Sequence, residues 1–156
     1  MTYRSPIFCL CTAILAAVAV HGCAGVNAQA YSFATLEEAQ QAGAMARGWV
    51  PEGLPAGSHD LRVAQVPGTS QHWGIVNFPA AEDGALRALL QPQEVLLTGQ
   101  HCDMPPRFEW WPMVLRGRLD GERLAATGLR GYRARTGNRL FAVNWKQGRA
   151  YYWEER

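Results

Sequence analysis

The sequence predicts an α+β domain: an antiparallel sheet of about five strands, made of a hairpin plus a C-terminal three-stranded meander, with three short helices packed on one face. Three observations predict it. From Gly131 onward, short β-rich runs are separated by Thr136-Gly137-Asn138 and Lys146-Gln147-Gly148, spacers of hairpin size. Earlier, two alternating runs flank the turn residues Pro67-Gly68-Thr69-Ser70. Three other stretches read as short helices, two of them behind the capping residues Thr35 and Asp120 and one acidic at its start.

The chain opens with the three parts of an export signal. Met1 to Pro6 carries one cation, Arg4; Ile7 to Val20 is apolar or small; residues 21–30 are small and polar. The apolar run is shorter than the roughly 20 residues that span a hydrocarbon core. Residues 1–22 are therefore expected to be a signal peptide, cut before Cys23 in the run Val20-His21-Gly22-Cys23. That cysteine would be lipidated, with residues 23–30 a tether and 31–156 a single α+β domain. The alternative cut follows Ala30, where Ala28-Gln29-Ala30 fits the small-x-small rule, and would release a soluble periplasmic or secreted protein.

Within the domain, Ala34 to Arg47 reads as the first helix. Thr35 caps it, Glu37 and Glu38 complement its dipole, and Gly48 ends it. Trp49-Val50-Pro51 turns the chain, and Leu54-Pro55 extends it. Asp60–Val66 and Trp73–Phe78 form the hairpin, which Pro79 ends. Ala80–Leu90 is the second helix. Val95–Leu97 is a short strand and Met104–Pro112 an irregular loop. Asp120–Ala126 is the third helix, capped by Asp120. Gly131–Arg135, Leu140–Trp145 and Arg149–Glu154 are the meander strands.

Composition narrows the function classes. About 130 residues remain beyond the signal, enough for one domain with its own core. The net charge of +2 names no partner, and the basic residues are Arg apart from Lys146. Cys9 and Cys11 leave with the signal, and an acylated Cys23 cannot form a disulfide. Cys102 is then solitary, so stability rests on the core. An exported chain without a binding motif argues against nucleic acid.

The stretch from Ala39–Gly43 through Arg47-Gly48-Trp49-Val50-Pro51, Leu54-Pro55, Ser58 and Asp60-Leu61, then Thr69-Ser70 and Trp73 to Phe78, forms an unusual word. Tyr31–Phe78 resembles the YbbD-type head domain of small bacterial exported proteins. Gly131-Tyr132-Arg133-Ala134 and Ala150-Tyr151-Tyr152-Trp153 are similar to such proteins too, so the resemblance extends over nearly the whole mature chain. It implies a signal-bearing or lipoprotein-like α+β domain without established activity, and no catalytic residues carry over. Val66-Pro67-Gly68-Thr69-Ser70 replaces an acidic segment that family members usually carry, which weakens cation binding there.

The chemistry-bearing residues are few. Ser58-His59-Asp60 holds the residue types of a hydrolase triad, but neighbours on an extended chain point to opposite faces. His101-Cys102-Asp103 offers metal-ligand types without a second pair at a recognised spacing, so no metal or cofactor is expected. Cys102 beside His101 is a candidate reactive thiol, set against a buried structural cysteine. His72 reads as a solvated turn residue. Six tryptophans are the compositional outlier. Trp49, Trp73, Trp145 and Trp153 suit the core, whereas Trp110 and Trp111 adjoin Phe108 in a Pro-flanked loop. Arg107, Phe108, Trp110 and Trp111 are the candidate binding surface, set against a loop folded over the sheet. The expected function is a non-enzymatic cell-envelope binding or interaction module. Its partner would be an envelope protein or a glycan, with membrane attachment through Cys23. The alternative is an envelope hydrolase or thiol-dependent enzyme using His59, Asp60, His101 or Cys102.

Overall fold

The computed structural model describes residues 27–104 and 107–155. The expected signal peptide and the lipidation residue Cys23 lie outside the described residues. The elements are β1 (Gln29–Thr35), α1 (Leu36–Gln41), β2 (His59–Gln65), β3 (His72–Asn77), α2 (Asp83–Leu89), β4 (His101–Cys102), β5 (Gly117–Arg118), α3 (Gly121–Ala126), β6 (Arg130–Arg133), β7 (Arg139–Asn144) and β8 (Arg149–Glu154). Six strands form one sheet in the order β1-β2-β3-β8-β7-β6, and β4 pairs with β5 separately. All pairings are antiparallel.

The hairpin and the meander are both present, and they join through β3 and β8. Trp73 lies opposite Trp153, Gly74 opposite Tyr152 and Ile75 opposite Tyr151. Gly74 is needed at that seam, because a Cβ there would collide with the Tyr152 ring. The sheet exceeds the expected five strands because β1 precedes the hairpin. Tyr31 and Phe33 are half-buried while Ser32 and Ala34 are exposed, a period of two. The folded part thus begins before Tyr31, with Ala28 already in the core.

The first helix is shorter than expected. Thr35 caps it as expected, accepting from the Glu38 N–H at 3.2 Å, but Ala34 and Thr35 belong to β1. Its end comes at Gly43, not Gly48. Gly43 takes φ +72°, and the Ala44 N–H returns to the Ala39 carbonyl at 2.9 Å, the closure that a left-handed glycine permits. Val95–Leu97 forms no strand, although the Val95 N–H bonds the Gly131 carbonyl at 2.9 Å along the β6 edge.

The helices do not share one face. Leu61, Val63, Val76, Phe141, Val143 and Tyr152 pack against Ala39, Ala44, Leu86 and Leu90 from the α1 and α2 regions. Trp73, Ile75, Leu140, Ala142, Tyr151 and Trp153 pack on the opposite side against Leu97, Cys102, Met104, Trp111, Leu115 and Leu124. The α3 helix and the irregular segment 97–119 therefore cover the second face. This explains why β7 and β8 are nearly continuous apolar runs: both of their faces are buried.

Candidate functional site

The aromatic loop divides into a buried half and an uncovered half. Phe108 is 8 % exposed and Trp111 1 %. The Trp111 ring meets Tyr151 edge-on at 5.4 Å and Trp153 at 6.2 Å. Its indole N–H donates to the Leu115 carbonyl at 2.8 Å, which satisfies the one polar atom that burial would otherwise strand. Arg116 donates to the carbonyls of Phe108 and Trp111 and fixes the loop from below. Two of the four residues expected at a surface therefore cap the core. Arg107 is exposed and Trp110 half-buried, and Met113, three residues after Trp110, stands 80 % exposed.

A second concentration of polar groups lies where β3 begins and β8 ends. His72 is 8 % exposed, so it is not the solvated turn residue that its place in the chain suggests. Its Nδ1 lies 3.0 Å from the Ser70 carbonyl, which can only accept, so Nδ1 carries the proton. Its Nε2 lies 3.0 Å from Glu154 Oε1 and 2.7 Å from Arg139 Nη2. A neutral ring accepts from Arg139; a doubly protonated ring donates to Glu154. Arg139 also donates to Glu154 at 3.1 Å and to the Gly48 carbonyl at 2.8 Å. Burial pushes the Glu154 carboxyl upward, but its bond to His72 and the Arg139 charge outweigh that and hold it below the usual range. Beside it Arg133 and Glu155 pair, and that hydrogen bond lowers the Glu155 carboxyl.

His72, Glu154 and Glu155 line a cleft of about 130 Å³ together with Ser70, His101 and Asp103. His101 Nε2 lies 2.6 Å from Asp103 Oδ1. No triplet in the sequence announces this grouping, because it depends on the β3–β8 register and on the β4 segment folding back across the sheet. Among the described residues, no three His, Cys, Asp or Glu side chains converge as metal ligands.

The residues named for hydrolysis are not assembled. Ser58 is buried at 2 % exposure, whereas His59 and Asp60 are exposed. His59 lies opposite Asn77, at the far end of β3 from His72, roughly 17 Å away at the usual rise per residue. His101 lies beside His72, so β3 separates it from His59 and Asp60. Asp60 takes φ +48° at an irregularity in the β2–β3 ladder, a conformation that Asp tolerates better than most residues. Cys102 is 1 % exposed, and burial pushes its thiol up to about 12. It stays protonated at neutral pH, without thiolate character.

Larger recesses also lie elsewhere among the described residues. One of about 600 Å³ runs between residues 94–98 and α3, bordered by Glu94, Leu96, Asp120, Glu122 and Arg130. Another of about 270 Å³ is walled by Leu90, Tyr132 and Trp145 with Arg87 and Arg135 at its rim. The Arg87 guanidinium already occupies a face of Trp145, 3.9 Å from the ring centre.

The unusual word in the N-terminal third is now placed by its neighbours. Val50 and Leu54 are in the core, Trp49 stacks on Tyr31 at 4.8 Å, and the Trp49 carbonyl accepts from the Tyr152 hydroxyl at 2.9 Å. Residues 27–66 match the YbbD head domain. No curated protein and no solved structure matches the chain. The head-domain match spans β1, α1 and β2, starting before Tyr31 and stopping short of β3. Its Gly-Trp-Val-Pro word holds the chain crossing from α1 to β2 against the sheet.

Proposed function

We propose that the chain is a non-enzymatic binding or interaction module of the cell envelope, exported and held at the membrane by an acylated Cys23. The partner is an envelope protein or a glycan. It meets the uncovered half of the aromatic loop, Arg107 and Trp110 with Met113. One observation carries this reading: an exposed apolar side chain, Met113, follows three residues after a half-buried tryptophan on a loop whose other aromatics are buried in the core. A tryptophan packed against Phe108 and Trp111, on the loop whose Arg107 stacks on Phe108, suits an interface, because little conformational freedom is lost on binding. Cys102, buried and protonated, supports the non-enzymatic part of the reading.

Replacing Trp110 and Met113 together by Ser tests it. The double variant is expected to keep its fold, read by unchanged near-UV circular dichroism. It should lose at least tenfold in retention on isolated peptidoglycan or in cross-linking to envelope protein, relative to wild type. Undiminished retention in both assays would remove this surface from consideration.

A further inference from the structure

The first strand bears on how the N-terminus matures. Ala28 is 4 % exposed and belongs to the core cluster of Ala64, Trp73 and Trp153. Gln29 and Ala30 lie opposite Gln65 and Ala64 in the β1–β2 ladder. The Gln29 side-chain oxygen accepts from the Tyr31 hydroxyl at 2.8 Å and from the Gln65 amide at 3.4 Å. Ala64 and Gln65 are 0 % and 7 % exposed. A cut after Ala30 would uncover both and remove their ladder partners. It would also set a charged amine at Tyr31, where the strand now continues. Unpaired backbone groups and lost apolar burial both weigh against a mature chain that starts there.

We infer that the mature protein retains Ala28, Gln29 and Ala30 as structural residues. The small-x-small word at Ala28-Gln29-Ala30 is therefore the start of a strand and not a processing site. This rests on the export reading above and decides between its two cleavage positions. The bond cut is Gly22–Cys23: water adds across that amide, leaving a carboxylate on Gly22 and an amine on Cys23. Ala28 is small because it packs against Ala64 and Trp73 in the core, not because a peptidase selects it.

Intact mass of the full chain, expressed with its own leader in a bacterium with an outer membrane, tests this on wild type and two variants. Wild type is expected to begin at Cys23. Cys23→Ser is expected to accumulate uncleaved. Ala30→Gln spoils the small residue before the second cut at an exposed strand position, and is expected to be processed as wild type. A wild-type N-terminus at Tyr31, or loss of processing in Ala30→Gln alone, overturns the inference and leaves export standing. A wild-type chain that keeps residues 1–22 overturns export and this inference together.

Discussion

The two faces of the sheet are covered by different means. On one, α1 contributes Ala39 and α2 contributes Leu86, with Leu90 just past its end. On the other, an irregular run from Leu97 to Leu119, with few backbone ladders of its own, packs Phe108, Trp111 and Leu115 against Tyr151 and Trp153. The contrast shows what aromatic density accomplishes. A helix buries a stripe because its backbone bonds are satisfied internally, so small and medium side chains suffice. An irregular segment must satisfy its carbonyls with side chains, as Arg116 and the Trp111 indole do here. It covers its face with larger groups, Phe108 and Trp111 among them.

The strongest way to break this contrast is to truncate one anchor on each face. Trp111→Ala is expected to cost about 3–5 kcal/mol, and Leu86→Ala about 2–4 kcal/mol. Denaturant unfolding measures both. A cost under about 1 kcal/mol for Trp111→Ala would mean that the irregular face is a loosely attached cover.

The polar seam gives the next effect. Removing one partner of a partly buried pair leaves the other uncompensated, so Glu154→Gln is expected to cost about 2 kcal/mol at neutral pH. Glu154 and Glu155 both have lowered folded-state values. Their contribution is therefore fully present above the ordinary carboxylate range, roughly pH 4–5, and is lost as pH falls through the lower folded values. The variant should lose less stability than wild type between neutral pH and pH 3. Parallel acid titrations of the two would refute the assignment.

Helix capping gives the smallest effect, and it samples both faces. Asp120 accepts from the N–H groups of Glu122 and Arg123 at 2.9 and 3.3 Å, whereas Thr35 accepts one at 3.2 Å. Asp120→Ala is expected to cost about 1 kcal/mol and Thr35→Ala about half that, read from thermal or denaturant midpoints. The reverse order would show that α3 matters less to its face than α1 to the other.

Much of this fold was legible because local rules sufficed. Thr35 and Asp120 cap helices as their side chains dictate, and the spacers at Gly137 and Gly148 set the meander. β1 was missed although Tyr31 and Phe33 alternate with Ser32 and Ala34, because small residues before Tyr31 also fit a cleavage rule. The end of α1 was misplaced because two glycines, Gly43 and Gly48, each offer a left-handed stop. At the candidate site, Trp111 is fully buried and Trp110 half-buried against the same core. Which ring is buried depended on the position of Tyr151 and Trp153 across the sheet. His72 carried no local mark of its burial at all.

By itself the sequence determined the α+β class, the hairpin, the meander, two helix caps and the export-like leader expectation. Each depends on residues close together in the chain, where periodicity, capping and turn chemistry act. Only the tertiary structure decided that β3 joins β8, that both sheet faces are covered, and that His72, Glu154 and Arg139 meet. His72 meets Arg139 across 67 positions of chain, and no local preference encodes which of many strand pairings buries the most apolar surface.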